Sequence, residues 1–129
     1  MQAKPFLMFQ GQAKDALTLW QSVIPDFEVI SVKEFESGDQ AGQIEMAFLK
    51  IGGTTWQIND SPPVHDFTFT PSSSIFVECD DEGQLRAIAA NLEEGGKFLM
   101  PVGDYGFSKL FAWVSDPFGV SWQLNLSGE

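Results

Sequence analysis

The chain has 129 residues, of which 43% are hydrophobic and 19% charged, as in an ordinary globular protein. Its net charge of −11 repels phosphate backbones and anionic membranes, so nucleic acid and membrane are excluded as expected partners. A single cysteine, Cys79, excludes an internal disulfide and favours a reducing compartment. Because the apolar run at the amino end is too short for a signal peptide or a membrane span, we expect a cytoplasmic protein.

Apolar runs separated by turn residues predict the elements of the first half. A strand at residues 6–9 precedes a helix whose apolar residues recur at helical spacing over residues 13–24. The helix is predicted to stop at Pro25, because proline cannot donate the next backbone hydrogen bond. Three further strands are then predicted, at residues 27–35, 44–51 and 54–59.

The second half repeats this order after a connector. Residues 60–74 contain three prolines and a triple serine, a composition that breaks regular structure. A strand is predicted at residues 75–79, followed by a helix that acidic residues open and two glycines end. Three more strands follow, at residues 98–102, 110–114 and 120–126.

The repeat is also visible residue by residue. Residues 53–59 align with residues 119–125 at a constant offset of 66, with Gly, Trp, Gln and Asn identical. We therefore predict one compact domain of two strand-helix-three-strand modules, residues 1–62 and 73–129, joined by a connector at 63–72. Each module is too small to bury its own sheet face, so the two should pack together or swap between chains. Chance recurrence of the Trp-Gln pair is the alternative.

The two matched strands alternate between apolar and polar side chains. Their tryptophan, isoleucine and leucine side chains point to one face, and small uncharged polar side chains point to the other. Such a polar face predicts a ligand cleft with hydrogen-bonding groups, and a solvated sheet face is the alternative. The ligand-contacting residues predicted on it are Gln57, Asn59, Ser121, Gln123 and Asn125.

Two residues outside these strands complete the predicted ligand-binding set. His65, the single histidine, lies in the connector and is either a surface residue or a ligand contact. Tyr105 lies in a glycine-bearing loop at residues 100–107 that either covers the cleft or simply joins two strands. Cys79 is interpreted as a buried filler rather than a reactive thiol, and the acidic residues 78–82 as a helix cap rather than a metal site.

Residues 111–124, Phe-Ala-Trp-Val-Ser-Asp-Pro-Phe-Gly-Val-Ser-Trp-Gln-Leu, resemble the vicinal oxygen chelate superfamily of glyoxalase, bleomycin-resistance and dioxygenase proteins. Within it the chain looks most like the PhnB-like branch, also described as 3-demethylubiquinone-9 3-methyltransferase-like. Residues 6–9, 13–20 and 65–69 are similar to the same branch. The resemblance implies an α+β fold of two βαβββ modules, paired across a homodimer, and a bacterial source.

The resemblance also indicates where a metal would be held. Metal-dependent members of the superfamily use His or Gln on the first strand of each module and Glu on the last. Carried over by position, the glutamate sites fall on Gln57 and Gln123, and residues 4–5 and 73–74 offer no imidazole. A neutral amide binds hard cations weakly, so we expect no metal. No glycine-rich phosphate loop is present, so we expect no nucleotide cofactor either.

Three functions are consistent with these residues. We favour a protein that binds a small organic molecule in a metal-free cleft, without catalysis. The second is an enzyme of lyase, isomerase or transferase type on a small organic substrate, including the methyltransferase that the family description names, with His65 or an acidic residue as proton shuttle. The third is a structural or interaction module. In such a module, side chains would fill the cleft.

Overall fold

The computed structural model describes residues 1–128 of the chain. The chain divides into two compact units, residues 1–67 and the residues from Thr68 onward. Each unit contains a four-stranded mixed sheet and one helix in the order βαβββ. The predicted α+β fold of two βαβββ modules is therefore confirmed.

The first unit contains β1 (Phe6–Phe9), α1 (Ala13–Val23), β2 (Phe27–Glu34), β3 (Ile44–Ile51) and β4 (Thr54–Asp60). Its sheet has the order β1-β4-β3-β2, with β1 parallel to β4 and the other pairs antiparallel. The helix ends where the Ile24 N–H donates to the Trp20 carbonyl at 2.8 Å, immediately before Pro25. Four side chains of α1 are buried: Ala13, Ala16, Leu17 and Trp20.

The second unit contains β5 (Ser74–Glu78), α2 (Glu82–Glu93), β6 (Lys97–Gly103), β7 (Leu110–Ser115) and β8 (Ser121–Leu126). Its sheet order, β5-β8-β7-β6, reproduces the topology of the first unit. The Asp81 carboxylate caps α2 by accepting from the Gln84 N–H at 2.7 Å. Asp81 thus forms the predicted cap, whereas Glu82 lies in the first turn and pairs with Arg86, and Glu78 belongs to β5.

Asp60 lies at the end of β4 rather than in the connector that the sequence predicted, and it is only 1% exposed. One carboxylate oxygen accepts from the Gly11 and Ala13 N–H groups at 2.8 and 3.0 Å, and the other from the Ile44 N–H at 2.9 Å. Asp60 therefore joins the starts of α1 and β3 to β4. Three donors compensate the burial of its charge.

Asp116 is a second buried carboxylate, in the second unit at the turn before β8. Its Oδ1 accepts from the Phe118 and Val120 N–H groups at 2.9 and 3.0 Å. Its Oδ2 accepts from the Trp122 indole N–H at 2.9 Å. The predicted Asp-Pro-Phe-Gly turn is thus fixed both to its own backbone and to the core.

Both helices, of 11 and 12 residues, are short. Within residues 1–128 no helix combines the length and the apolar character needed to cross a membrane.

Candidate functional site

The sheet of the first unit has one face covered by α1 and one open face, which we call face 1. Face 1 carries Phe6, Met8, Met46, Phe48, Thr55, Gln57 and Asn59. Gln57 lies opposite Phe6 on β1 and Phe48 on β3, so an amide is flanked by two aromatic side chains. Its Nε2 donates to the Met46 sulfur at 2.9 Å, and Phe6 is 47% exposed.

A cation lies at the edge of face 1. The Lys4 ammonium is 5.2 Å from the centroid of the Phe48 ring, within the range of a cation–π contact. The contact places a positive charge beside the aromatic flank of Gln57.

The corresponding open face of the second unit, face 2, carries Ser74, Phe76, Glu78, Phe111, Trp113, Ser121, Gln123 and Asn125. Gln123 repeats the arrangement of Gln57, because its register partners are Phe76 on β5 and Trp113 on β7. Its Nε2 donates to the Ser74 hydroxyl at 3.2 Å, and Phe76 is 55% exposed. Both units therefore present a glutamine amide between two aromatic side chains.

A hydroxyl pair fixes the side chains around Gln123. The Ser74 and Ser121 hydroxyls are 2.6 Å apart, and the Trp113 indole N–H donates to the Ser121 hydroxyl at 2.7 Å. Ser121 is buried, so its role is to orient Trp113 and, through Ser74, Gln123.

Asn125 holds the carboxylate at the other end of face 2. Its Nδ2 donates to both oxygens of Glu78 at 3.1 Å, and the Ser127 hydroxyl donates to one of them at 3.2 Å. The side-chain oxygens of Asn125 and of Asn59, its equivalent in the first unit, are buried without a hydrogen-bond partner among the described residues. Leaving each oxygen unpaired costs about 1–3 kcal/mol, because burial also removes it from water.

His65 lies in the connector and not on a sheet face. Its side chain is exposed and stacks on Phe67 with ring centroids 4.6 Å apart, and its backbone N–H donates to the Gln10 side-chain oxygen at 3.1 Å. His65 is therefore not among the polar side chains of face 1 or face 2. Its contact with a ligand stays a prediction.

Tyr105 lies beside face 2. Its hydroxyl donates to the Pro101 carbonyl, and its ring meets the Phe111 ring edge to face at 6.2 Å. Phe107, stacked on Tyr105, contacts the same Phe111 ring. An open cavity of about 530 Å³ lies along this loop, lined by Asp104, Gly106, Phe107, Ser108, Lys109 and Gly128.

Cys79 is buried at the end of β5. Burial raises the pKa of its thiol to about 11, against the opposing effect of the backbone hydrogen bond with Asn125, and Asp80, Glu78 and Asp81 raise the pKa further. A thiol that stays protonated at neutral pH is a poor nucleophile. This favours the interpretation of Cys79 as a buried filler.

The residues present do not fit the divalent metal of the superfamily. Gln57 and Gln123 stand at the two carried-over glutamate positions, and their amide nitrogens point to Met46 and Ser74. Within residues 1–128 no three His, Cys, Asp or Glu side chains lie together as a metal-binding group. Neutral amides flanked by aromatic rings suit an organic molecule better than a hard cation.

Sequence reasoning missed several side chains of face 2. Phe111 and Trp113 lie on β7, whose sequence is apolar on both faces and so gives no alternation signal. Glu78 and Ser74 do alternate with Ile75 and Val77 along β5, which was a usable signal. It was hidden because Glu78 lies next to the acidic helix cap.

Similar solved structures define the fold class. A glyoxylase/bleomycin resistance protein/dioxygenase domain from Frankia sp. is 17% identical, with a TM-score of 0.66, covering 100% of this chain and 93% of its own. A protein from Pseudomonas aeruginosa is 24% identical, with a TM-score of 0.83 and coverage of 100% and 99%. The chain therefore has the glyoxalase/bleomycin-resistance fold.

The family is narrower than the fold. Residues 1–125 match the family described as 3-demethylubiquinone-9 3-methyltransferase. The PhnB protein from Bacillus cereus, which carries the same methyltransferase description, is 35% identical, with a TM-score of 0.92, covering 98% of this chain and 100% of its own. The chain belongs to this PhnB-like family. No curated protein matches it.

Proposed function

We propose that this protein binds a small organic molecule on its open sheet faces, without a metal ion. The ligand has an aromatic or other flat apolar body and polar groups that pair with neutral amides. Under this proposal Gln57 and Gln123 donate and accept hydrogen bonds, and the flanking rings pack on the apolar body.

The observation that carries the proposal is the repeated placement of a glutamine between two aromatic side chains. In both units the outer ring, Phe6 or Phe76, is about half exposed. Fully burying a phenylalanine is worth roughly 1.5–3 kcal/mol, and about half of that remains available at each half-exposed ring, so the two equivalent rings favour a covering molecule.

Binding can be tested with benzyl alcohol, a neutral probe with one ring and one hydroxyl. In heteronuclear NMR of isotope-labelled protein, we expect saturable shifts of the side-chain amide signals of Gln57 and Gln123. The side-chain amide of Asn91, which is exposed on α2, serves as the internal control and should not move. Absence of a saturable shift at both glutamines would contradict the proposal.

Two phenylalanine variants distinguish stacking on face 2 from non-specific apolar binding. We expect Phe76→Ala to weaken the probe at Gln123 about tenfold while leaving Gln57 unaffected, because it removes one ring of one face. Phe67→Ala, which removes an exposed ring that is not on a sheet face, should change neither site. Equal effects of both variants would indicate non-specific apolar binding.

The same proposal includes a homodimer acting in the cytoplasm of a bacterium. The Bacillus cereus relative, at 35% identity, supports a bacterial source, and the single cysteine supports a reducing compartment. Ile30 and Val32, exposed on the edge strand β2, support pairing with a second copy.

The alternative is an enzyme, and family membership is the observation that favours it. The family description names a methyl transfer, so S-adenosylmethionine is the probe for this alternative. Calorimetric titration should show no saturable binding of it if the protein only binds its ligand. Micromolar binding, lost in Gln123→Ala, would favour the transferase instead.

A further inference from the structure

We infer that the end of face 1 formed by Lys4, Thr55 and Lys50 binds a carboxylate group of the organic ligand. The inference rests on the proposed function, because the ring of that ligand would lie on the aromatic side chains beside Gln57. It adds a charged group to the ligand, and it distinguishes face 1 from face 2, although both faces place a glutamine between aromatic rings.

The three residues lie side by side across the sheet of the first unit. Lys50 on β3 is the register partner of Thr55 on β4, and it lies on face 1 because it alternates with the core residues as Phe48 does. Lys4 lies two residues before Phe6, so alternation places its side chain on the same face. Lys4 and Thr55 also line one open cavity of about 370 Å³.

The Lys4 ammonium reaches across β4 toward β3. Its Nζ lies 5.2 Å from the centroid of the Phe48 ring, and Phe48 is two residues from Lys50 on β3. Neighbouring strands are about 4.8 Å apart, so the backbones of Lys4 and Lys50 are separated by about 10 Å, which two flexible lysine stems can span. An anion above Thr55 can therefore contact both ammonium groups.

Among residues 1–128, no carboxylate forms an ion pair with either of these lysines. The ion pairs in that part of the chain use Lys14, Lys33 and Arg86. Glu28, the register partner of Lys50 on the edge strand β2, is exposed and is not paired with it. Two neighbouring cations repel each other, and a carboxylate that offers one oxygen to each ammonium removes this repulsion.

Thr55 supplies a hydroxyl between the two lysines. Its side chain is half-buried, and within residues 1–128 its hydroxyl has no hydrogen-bond partner. Its equivalent in the second unit, Ser121, is used inside the protein, because its hydroxyl contacts the Ser74 hydroxyl and the Trp113 indole N–H. The Thr55 hydroxyl is therefore available to donate to an anion.

Among the described residues, face 2 has no such pair of cations. At the two lysine positions it carries Ser74 and Ser115. The nearest cation in the same row is Lys97, beyond Ser115 on the edge strand β6, and Glu78 adds a carboxylate to the face. The two faces share an amide and aromatic rings but differ in charge, so an anionic ligand should choose face 1.

The test compares benzoate with benzamide, which has the same ring and planar outline without the charge. NMR shifts of the Gln57 and Gln123 side-chain amides report the two faces of the wild-type protein separately. At Gln57 we expect benzoate to bind about tenfold more tightly than benzamide, and at Gln123 no more tightly. The preference at Gln57 should weaken with added sodium chloride, because salt screens exposed charges.

Two double variants, each lacking two positive charges, identify the cations. The variant Lys4→Gln, Lys50→Gln should lose the preference for benzoate over benzamide at Gln57. The control variant Lys14→Gln, Arg86→Gln should keep it, because these two exposed cations lie on α1 and α2.

The outcomes distinguish this inference from the proposed function. If benzamide shifts both glutamines and benzoate binds no better at Gln57, face 1 is a binding site without an anion subsite, and the inference is wrong. If the variant of Lys4 and Lys50 keeps the preference, the charge is recognised elsewhere and the inference is also wrong. If neither probe shifts either amide, both the inference and the proposed function are wrong.

Discussion

A carboxylate buried away from water is stable only when donors replace its hydration, and Asp60 meets this condition with three backbone N–H groups. It accepts both at the start of α1, where the preceding Gln12 makes no side-chain cap, and at the start of β3. Asp60 therefore substitutes for a missing helix cap.

We expect Asp60→Asn to lower the free energy of unfolding by about 2–4 kcal/mol, because one oxygen becomes an NH₂ group that faces backbone donors. Urea unfolding followed by circular dichroism measures the change. Asp39→Asn, on an exposed turn, should stay within about 0.5 kcal/mol of wild type. A similarly small effect of Asp60→Asn would show that the buried carboxylate contributes little.

The buried thiol of Cys79 predicts how the rate of its alkylation depends on pH. Since burial raises the pKa of its thiol to about 11, the thiolate fraction stays low throughout the neutral range and rises only toward that value. Alkylation by iodoacetamide of the folded protein should therefore be slow at neutral pH and accelerate with increasing pH, whereas the urea-unfolded protein should react with an ordinary cysteine profile. Rapid alkylation of the folded protein at neutral pH would contradict this.

At the residue scale the sequence predicted the polar side chains of the two open faces, but not the aromatic side chains that flank them. Alternation alone identified Gln57 and Gln123 as pointing away from the core. Their aromatic neighbours depend on strand register, which pairs residues 51 positions apart (Phe6 with Gln57) and cannot be read from local pattern. The unpaired oxygens of Asn59 and Asn125 depend on packing and were equally out of reach.

At the element scale the predicted strands and helices agree closely with the structure. The predicted bounds of β1 and β3 are those observed, because each is a mainly apolar run delimited by proline, glutamine or glycine. β6 is one residue longer at each end than predicted, and β4 extends by one residue to Asp60, because backbone donors hold that side chain. The local composition predicted a connector there, but hydrogen bonds from the Gly11, Ala13 and Ile44 N–H groups hold Asp60 at the end of the strand.

The connection from α2 to β6 depends on Gly96. A Cβ atom there would overlap the Ser115 carbonyl oxygen, so the loop backbone passes directly against β7. We expect Gly96→Ala to lower the unfolding free energy by about 3 kcal/mol, measured by urea unfolding.

Gly83 provides the matched control within α2. A Cβ atom there would meet only the Asp81 carboxylate oxygen at 3.4 Å, an ordinary contact. Gly83→Ala should therefore leave stability unchanged or raise it by up to about 1 kcal/mol, since alanine favours the helix. If both substitutions had the same effect, close approach at Gly96 would not be what constrains this connection.

At the scale of the whole molecule, the two units repeat one topology and place equivalent glutamines between aromatic side chains. They differ in charge, with Lys4 at face 1 and Glu78 on face 2. The duplication followed from the sequence match at residues 53–59 and 119–125, whereas the charge difference emerged only when register placed Glu78 beside Asn125.

We propose that this PhnB-like protein holds a small organic molecule without a metal. Native mass spectrometry of the purified protein tests the proposal, since one spectrum reports oligomeric state, metal and any retained ligand. We predict a homodimer that carries an organic molecule, and loss of that molecule in a Gln57→Ala, Gln123→Ala double variant that still dimerises. A stoichiometric divalent ion, bound in the wild type and lost in the same double variant, would show that the proposal is wrong.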